Sequence, residues 1–257
     1  MKKLFSVLLA IMLASVSMAA MAEGTLIAAT NPEFPPFEYV ENDVVVGLDA
    51  DIAAEIAKDL NMEIKIESME FPAIIPAVMA GKANIGIAAM TITEERKTSV
   101  DFSDPYYNAK QVCIVKVGGK VVDEATLKDA LIGVQEGTTG DYAAEEISAN
   151  IQRYPKALDA VMELAGGKLD AVIVDAPVAS NIMAALNNKD LILLEGVEFA
   201  DEFYGIAVPK GNQELLDAIN ATVKRIQEDG TLDALIEKYF PSVEAPAEAE
   251  PTATPAA

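Results

Sequence analysis

The sequence predicts an α/β protein with mainly parallel strands, on two observations. Short apolar runs alternate with helical patterns from about residue 25 to 240, which is typical of parallel sheets covered by helices. In addition, residues 81–87 (GKANIGI) resemble residues 167–173 (GKLDAVI), and each copy follows an apolar helix and leads into a strand. Gly-Lys is also a common helix end before a strand. The similarity of the two segments, which we call the internal echo, nevertheless fits two lobes that are built on the same βαβ unit.

The expected elements follow in order along the chain. Short apolar runs predict strands over residues 26–30, 64–66, 85–88, 112–117, 131–134, 171–174, 191–194 and 205–208. Apolar residues at helical spacing predict helices over residues 52–60, 74–79, 157–164, 214–227 and 232–239, and helices starting near Asp141 and at Pro177.

The two ends of the chain differ from this pattern. Lys2 and Lys3, a mostly apolar run over 4–16 and the small residues Ala20 and Ala22 predict a signal peptide over residues 1–22, cleaved after about Ala22. The apolar run is shorter than the roughly 20 residues that span a bilayer, and no cysteine stands near the cleavage point for a lipid anchor. Residues 241–257 are rich in Pro, Ala and Glu and predict a disordered tail. We therefore expect an exported, periplasmic protein.

The composition excludes several classes of function. A formal net charge of −22 at pH 7 argues against nucleic acid and anionic membranes as partners, because phosphate attracts basic proteins. The absence of histidine rules out Ser-His-Asp and Cys-His catalysis and imidazole-ligated metal sites. Cys113 is the single cysteine, and its apolar neighbours indicate a small core residue. We expect no metal and no cofactor.

The clearest candidate for binding follows the strand over 85–88. Ligands of open α/β sheets bind beyond the carboxyl ends of strands, and Thr91, Thr93 and Arg96 stand there. Thr93 is a good helix N-cap, and a cation at the third helical position opposes the positive end of the helix dipole. An arginine beside a helix start forms an anion site. The alternative is an ordinary exposed turn, to which we assign Lys97, but the position of Arg96 favours binding.

Other strand ends offer further candidates. Asp175 either caps the helix that starts at Pro177 or binds an ammonium group, and spacing alone leaves these two readings equal. The loop 133–140 (GVQEGTTG) lacks the ending of a phosphate-binding loop, but its amides and Thr139 can hold one oxyanion. Phe34 and Phe71 form either core or a pocket wall. A small zwitterion would satisfy this set of groups.

Four motifs in this order resemble the amino-acid-binding proteins of bacterial ABC transporters, in the polar amino acid group (solute-binding protein family 3). They are residues 30–38 (TNPEFPPFE), 47–52 (GLDADI), 91–107 (TITEERKTSVDFSDPYY) and 204–207 (YGIA). The resemblance covers residues 26–240 and implies a two-lobed periplasmic-binding-protein fold of type II, with two hinge strands and the ligand in the interlobe cleft. It implies that lobe 1 holds residues 23–107 and 205–240, that lobe 2 holds residues 108–204, and that the hinges cross near 106–110 and 198–204.

The same resemblance implies a set of ligand-binding residues, namely Asn31, Phe34, Phe71, Ala89, Thr91, Arg96, Gln135, Thr139 and Asp175. Arg96 would bind the α-carboxylate of an amino acid, with help from Thr91 and from the amides of Ala89 and Thr139. Asp175 would bind the α-ammonium group.

The implied contacts of the ligand side chain leave its identity open. Phe34 and Phe71 would sandwich it, with Asn31 and Gln135 at its far end. Relatives that bind glutamine or basic amino acids often have an aspartate at the position of Asn31, so a neutral amide there removes one partner for a cation. Neutral polar and cationic amino acids both remain candidates, with a slight preference for a broad polar range.

The expected function is that of an extracytoplasmic, monomeric binding protein that captures a free L-amino acid and delivers it to an ABC permease. The alternative is an enzyme on the same scaffold, similar to cyclohexadienyl dehydratase, for which Glu33 and Glu136 are the local candidate acids. A receptor sensory domain is a third reading, which the lack of a membrane-spanning segment after residue 240 disfavours.

Overall fold

The computed structural model describes residues 24–240. The predicted signal peptide and the predicted tail lie outside the described residues. Within residues 24–240, no helix combines the length and the apolar character needed to cross a lipid bilayer.

Strands and helices alternate along the described chain. The strands are β1 (Thr25–Thr30), β2 (Glu33–Phe34), β3 (Glu38–Glu41), β4 (Val44–Val46), β5 (Glu63–Ser68), β6 (Ile85–Gly86), β7 (Val100–Phe102), β8 (Tyr107–Lys116), β9 (Ile132–Gln135), β10 (Ile151–Tyr154), β11 (Ala171–Asp175), β12 (Leu191–Leu193), β13 (Asp201–Tyr204) and β14 (Ala207–Pro209). The helices are α1 (Leu48–Asp59), α2 (Ile74–Met79), α3 (Glu94–Lys97), α4 (Glu124–Leu127), α5 (Thr139–Ile147), α6 (Ala157–Ala165), α7 (Ala176–Leu186), α8 (Gln213–Glu228) and α9 (Thr231–Tyr239). The predicted α/β alternation is confirmed, although the last predicted strand starts at Ala207 rather than at Gly205.

The first sheet carries the N-terminal βαβ unit. Its strand order is β5-β1-β6-β14-β7, in which β5, β1 and β6 are parallel and β14 is antiparallel to both of its neighbours. Helix α1 packs against β1 and β5 and buries the predicted stripe with Leu48, Ile52 and Ile56. Gly47 has φ +125°, and a Cβ there would lie 2.1 Å from the carbonyl oxygen of Phe37. Only glycine fits this start of α1.

The second sheet repeats the parallel core and adds antiparallel strands. Its order is β10-β9-β11-β8-β12, with β13 also paired to β8. Strands β10, β9 and β11 are parallel, whereas β8 is antiparallel to β11, β12 and β13. The prediction of mainly parallel strands is therefore corrected to two mixed sheets. The chain enters the second sheet along β8 and leaves it along β13, and two paired strands that enter and leave must run in opposite directions.

The internal echo marks the same structural unit in both sheets. Helices α2 and α6 lead into β6 and β11, each the third strand of a parallel triplet. Asn84 Oδ1 accepts a hydrogen bond from the Ile27 amide at 2.7 Å, and Asp170 Oδ2 accepts one from the Leu131 amide at 3.0 Å. The echoed residues thus tie the third strand to the central strand in the same way in both halves of the molecule.

Two strands connect the sheets. Strands β8 and β13 pair with each other, with Tyr107 opposite Tyr204, and Tyr204 also forms an isolated bridge to Thr91. The ring of Phe37 packs edge-on against Tyr107 and Tyr204 at centroid distances of 4.9 and 5.1 Å. The strands of the first sheet come from residues 25–102 and 207–209, those of the second from residues 107–204.

A small antiparallel sheet, β2-β3-β4, was missed from the sequence. Its β3–β4 hairpin turns at Asn42 and Asp43, which have φ of 50° and 62° and so meet the requirement of a tight hairpin turn for positive φ. The hairpin residues carry no clear apolar periodicity, so only the Asn-Asp pair indicated it. This sheet positions Phe34 and Glu38 beside the space between the two larger sheets.

Candidate ligand-binding site

A small cavity lies between the two large sheets. It is lined by Asn31, Phe34, Glu38, Phe71, Ala88, Ala89, Thr91, Arg96, Gln135, Thr138, Thr139 and Asp175. The structure therefore brings together all nine residues singled out from the sequence. It adds Glu38, Ala88 and Thr138, which sequence reasoning missed.

Arg96 is a buried guanidinium held by main-chain carbonyls. Its Nη1 donates to the carbonyl oxygen of Thr91 at 2.7 Å, and its Nη2 donates to that of Gly137, from the opposite lobe, at 3.1 Å. Its Cζ lies 5.3 Å from the ring centroid of Phe71. Only 7% of Arg96 is exposed, burial lowers its pKa, and no carboxylate of the described residues forms an ion pair with it. The charge of Arg96 thus faces the cavity without a fixed counter-charge.

Helix α3, which carries Arg96, consists of a single turn. Thr93 caps it as predicted, because its Oγ1 accepts a hydrogen bond from the Arg96 amide at 3.1 Å. A helix of a single turn has almost no macrodipole, because the same four residues form both its N-terminal and its C-terminal turn. The dipole argument that singled out Arg96 is therefore wrong for this helix. Burial distinguishes Arg96 instead, because its neighbour Lys97 is exposed, as predicted, and pairs with Glu94 at 2.8 Å.

The glycine-rich loop between β9 and α5 brings lobe 2 close to lobe 1. Gly137 has φ +75°, and a Cβ there would lie 3.2 Å from Cγ of Pro72 in lobe 1. Thr138 caps α5, with its Oγ1 accepting from the Asp141 amide at 3.2 Å. The first-turn N–H groups of a helix have no partner within the helix, so the amide of Thr139 starts α5 as a donor at the cavity wall.

Asp175 ends β11 and stands at the N-cap position of α7. Its side chain makes no capping hydrogen bond and instead accepts one from the hydroxyl of Tyr204. Asp175 is 5% exposed, and burial raises its pKa to about 7, against the opposing effect of the Tyr204 hydroxyl. Among residues 24–240 no lysine or arginine forms an ion pair with it. Of the two sequence readings, the structure disfavours capping, because the carboxyl group lines the cavity.

Thr91 of lobe 1 and Thr139 of lobe 2 meet at a carboxylate that the sequence did not indicate. Oε2 of Glu202, on β13, accepts hydrogen bonds from Thr91 Oγ1 at 2.6 Å and from Thr139 Oγ1 at 2.7 Å. Gln111 Nε2 donates to Thr139 Oγ1 at 3.3 Å. Because each hydroxyl has one proton, Glu202 uses the donor capacity of both threonines.

A pair of buried acids lies behind Ala89. The Ala89 amide donates to Asp49 Oδ2 at 2.7 Å, and the hydroxyl of Tyr106 donates to the same carboxyl group at 2.9 Å. The amide contribution predicted for Ala89 is therefore corrected, because Asp49 already takes this donor. Burial raises the pKa of Asp49 to about 7. Burial, and next the charge of Asp49, raise the pKa of Glu38 well above its ordinary value.

Glu38 is the most informative residue that sequence reasoning missed. It is 1% exposed and lines the cavity, and neither of its carboxyl oxygens accepts a hydrogen bond from the described residues. Its only sequence signal is a glutamate between Phe37 and Tyr39 at the start of a strand. That signal fits an exposed edge strand equally well, so it did not point inward.

The far end of the cavity is made of side-chain amides. Gln135 Nε2 donates to Asn31 Oδ1 at 2.9 Å and to the carbonyl oxygen of Pro155 at 3.2 Å, and Asn31 Nδ2 donates to the carbonyl oxygen of Met69 at 3.0 Å. Gln135 Oε1 is buried and receives no hydrogen bond within the described part of the chain. Gln135, which lines this end of the cavity, therefore carries an unpaired acceptor.

The two acids considered for enzymatic chemistry do not line the cavity. Glu33 pairs across the cleft with Lys156 at 2.7 Å, and Glu136 is exposed. Cys113 is a core residue, as predicted, since it is buried and burial raises the pKa of its thiol to about 12. The described residues contain no cluster of three side chains suited to hold a metal ion.

The chain matches one protein family over most of its length. The model of the bacterial extracellular solute-binding proteins, family 3, matches residues 26–242. A Neisseria gonorrhoeae protein named "Probable histidine-binding protein" is 34% identical over 218 residues, which cover 82% of this chain and 81% of that protein.

Solved structures of amino-acid-binding proteins are also similar to this chain over most of its length. An ancestral arginine-binding protein bound to arginine is 40% identical with a TM-score of 0.80, over 86% of this chain and 100% of that one. An ancestral arginine-binding protein bound to glutamine has a TM-score of 0.79 at 39% identity, over 85% and 99% of the two chains. The ancestral amino acid-binding protein AncCDT-1, a precursor of cyclohexadienyl dehydratase, is 36% identical with a TM-score of 0.77, over 84% and 96%. The fold is thus the two-lobed type II fold of periplasmic binding proteins, and the chain belongs to the bacterial extracellular solute-binding proteins, family 3.

Proposed function

We propose that this protein captures a polar L-amino acid and delivers it to the permease of an ABC transporter. One observation carries the proposal: Arg96 from lobe 1 and Asp175 from lobe 2 line one cavity, both buried and neither ion-paired within residues 24–240. Buried charges are costly unless they are paired. An α-amino acid carries a carboxylate and an ammonium group on one carbon, so it supplies both missing partners.

The carboxylate binds to Arg96. A guanidinium has five N–H donors, and two of them are used by the carbonyls of Thr91 and Gly137. The remaining donors form a planar fork that matches a carboxylate. The amide of Thr139 at the start of α5 adds a donor from the opposite lobe.

The ammonium group binds to Asp175, whose carboxylate accepts its hydrogen bonds. The raised pKa of Asp175 means that burial alone disfavours its ionised form. A cation in contact with the carboxylate reverses this effect. Capture of the zwitterion thus stabilises the charge that the fold by itself destabilises.

The side chain extends between Phe34 and Phe71 toward the amides of Asn31 and Gln135. The unpaired Oε1 of Gln135 requires a donor, which a guanidinium, an imidazole N–H or a carboxamide supplies. A side-chain carboxylate accepts hydrogen bonds and supplies none. We therefore assign a broad polar range that includes arginine, histidine and glutamine, as the names of the relatives suggest, and that disfavours aspartate and glutamate.

Closure of the two lobes accompanies capture. Arg96 and Asp175 contact the same small molecule only when the lobes meet, so the ligand favours the closed arrangement. We place lobe 1 at residues 23–107 and 205–240 and lobe 2 at 108–204, with hinges near 106–110 and 198–204. The separate origin of the strands in the two sheets supports these boundaries.

The proposed function also implies a cellular location and the absence of a catalysed reaction. We infer cleavage after about Ala22, a periplasmic monomer, and a binding protein rather than an enzyme. Neither Glu33 nor Glu136 lines the cavity, but the acids Glu38 and Asp175 do, so the distinction from an enzyme needs a direct test. Mass spectrometry of an amino acid recovered after long incubation with the protein tests it, and an altered mass contradicts it.

A thermal-shift screen of the twenty amino acids tests the main proposal. A ligand at a hundred times its dissociation constant adds about 2.7 kcal/mol to the free energy of unfolding, which corresponds to roughly 5–10 °C in Tm for a chain of this size. We expect such shifts with arginine, histidine or glutamine. Agmatine, which is arginine without its carboxylate, serves as the matched control and should give no shift. Failure of all twenty amino acids to raise the Tm would refute the proposed function.

A further inference from the structure

Glu202 joins three parts of the molecule at one oxygen atom. It lies on β13, one of the two strands that connect the sheets. Its Oε2 accepts hydrogen bonds from Thr91 Oγ1 of lobe 1 at 2.6 Å and from Thr139 Oγ1 of lobe 2 at 2.7 Å. We call these three side chains the hinge clasp.

The two hydrogen bonds of the hinge clasp form together only when the lobes are closed. The two hydroxyl oxygens lie 3.4 Å apart, although Thr91 and Thr139 belong to different lobes. Opening of the cleft moves one hydroxyl away from the other, so a single oxygen can then receive at most one of them. Hydrogen bonds to a charged acceptor contribute more than neutral ones, so the bond that breaks on opening stabilises the closed arrangement relative to the open one.

The hinge clasp also fixes what the threonines present to a ligand. Both hydroxyl protons point to Glu202, so neither is available to a ligand carboxylate. The donors left for that carboxylate are those of Arg96 and the amide of Thr139 at the start of α5. Glu202 itself does not line the cavity and therefore acts from behind the two threonines.

We propose that Glu202 is a positioning residue that stabilises the closed cleft through the hydroxyls of Thr91 and Thr139, and so raises the affinity for the captured amino acid. This inference rests on the proposed function for its effect on affinity. Its effect on closure is independent of any ligand. Because affinity depends on the population of the closed form, a loss of clasp hydrogen bonds lowers affinity without removing any ligand contact.

The test compares the wild type with Glu202→Ala, Glu202→Gln and the control Asp201→Ala. Asp201 precedes Glu202 on β13 and is exposed, so its replacement removes the same charge outside the clasp. Two quantities are measured: the radius of gyration by small-angle X-ray scattering, without and with saturating L-arginine, and the dissociation constant of L-arginine by calorimetry.

We expect Glu202→Ala to weaken arginine binding about tenfold, in line with the loss of a hydrogen bond to a charged group. We also expect it to increase the radius of gyration without arginine and to reach the wild-type value at saturation. Glu202→Gln keeps an acceptor oxygen, so its arginine affinity and its radius of gyration should lie between those of Glu202→Ala and the wild type. A purely structural role in the fold would not predict these intermediate values. Asp201→Ala should change the affinity less than twofold.

Two results would overturn the inference. An unchanged radius of gyration and affinity in Glu202→Ala would show that the clasp does not bias closure. A higher affinity in that variant would show that Glu202 competes with the ligand carboxylate for the threonines. If the wild type itself does not bind arginine, the proposed function loses its support, while the scattering comparison without ligand still decides for or against the clasp.

Discussion

The two lobes share one βαβ unit and place opposite charges beyond its third strand. In lobe 1, β6 leads to Arg96, and in lobe 2, β11 ends at Asp175. The hydrogen bonds of Asn84 and Asp170 to the central strands show that β6 and β11 are equivalent. The shared topology determines where a ligand-binding residue stands, and the residue type alone determines which end of a zwitterion it can bind.

The partners of the two charges differ as well. Arg96 is held by two carbonyl oxygens, one from each lobe, whereas Asp175 is held by the hydroxyl of Tyr204. All of these partners are neutral, so neither charge forms an ion pair within the described residues, although the carboxylates of Glu202 and Asp175 act on Arg96 from a greater distance. Each lobe is therefore incomplete as a binding site, and only the closed cleft offers both charges to one molecule.

The lobes also differ in their buried acids. Lobe 1 adds Glu38, which lines the cavity, and Asp49 behind it, and lobe 2 contributes Asp175. The pKa of Asp49 and that of Asp175 are both raised to about 7 by burial. In the proposed function the acid in lobe 2 faces a ligand cation, while in lobe 1 Asp49 accepts hydrogen bonds from the Ala89 amide and the Tyr106 hydroxyl and Glu38 has no such partner within residues 24–240. Protonation should therefore affect ligand binding through lobe 2 and folding stability through lobe 1.

The largest expected effect comes from removing the charge of Arg96 or that of Asp175. Loss of one partner from a buried charge pair costs about 3–5 kcal/mol, so Arg96→Ala and Asp175→Ala should each lower arginine affinity by roughly two to four orders of magnitude. Calorimetry measures this directly. The exposed neighbour substitution Lys97→Ala is the matched control for Arg96 and should leave the affinity within twofold. A change of only a few-fold in either Arg96→Ala or Asp175→Ala would break the comparison of the two lobes.

The next effect is the pH dependence of binding. The ligand ammonium needs the ionised form of Asp175, whose pKa is raised to about 7. Below that pH, arginine affinity should fall about tenfold per pH unit, and above it the affinity should be constant. Titrations between pH 5 and 8 check this in the wild type and in Glu38→Gln. The slope should persist in Glu38→Gln because Asp175 is retained, while the midpoint is expected to move because Glu38 lines the same cavity. Equal affinity at pH 5 and pH 8 in the wild type would contradict the role of Asp175.

A smaller effect of opposite sign is expected for folding stability. Asp49 has a raised pKa in the folded state, so the folded protein binds more protons than the unfolded chain between about pH 4 and 7. The free energy of unfolding contributed by this acid pair therefore falls as the pH rises through that window. Glu38→Gln removes one acid of the pair and should raise the Tm at pH 8 by about 2–4 °C per kcal/mol regained. Glu136→Gln, at an exposed site, serves as control. A Tm difference between Glu38→Gln and wild type that is the same at pH 5 and pH 8 would exclude the pair as its source.

The smallest effect belongs to the ion pair at the rim of the cleft. Glu33 and Lys156 join the two lobes at 2.7 Å, with side chains 37% and 40% exposed. Exposed ion pairs contribute about 0.2–1 kcal/mol, so Lys156→Ala should weaken arginine binding by less than about fivefold. The effect should shrink further in 0.5 M salt because of screening. A larger loss that persists in salt would place Lys156 among the main determinants of closure.

The local pattern allowed much of this arrangement to be predicted. The alternation of strands and helices, the cap at Thr93 and the glycine-rich loop over 133–140 depend on neighbouring residues, so sequence spacing was sufficient to find them. The end-of-strand rule then selected Arg96 and Asp175 as binding candidates, although the dipole reason given for Arg96 did not hold for a helix of a single turn.

Long-range contacts could not be predicted in the same way. Glu202 reaches Thr91 across 111 residues of sequence and Thr139 across 63, and the Ala89 amide turns to Asp49 instead of the cavity. The sequence around Glu38 is typical of an exposed strand, but in the sheet formed by β2, β3 and β4 its side chain is buried. These contacts join segments that are far apart in sequence, and the residues of one segment do not indicate which other segment it will contact.

The sequence by itself determined the fold class, the family and the set of charges available at the strand ends. Hydrophobic periodicity and helix caps depend only on residues that are close in sequence. Only the tertiary structure decided that the charges of Arg96 and Asp175 stand without counter-charges in one cavity, that the capping reading of Asp175 is disfavoured, and that Glu202 takes the threonine hydroxyls. Burial and hydrogen-bond partners depend on which distant segments meet, and no local pattern specifies them.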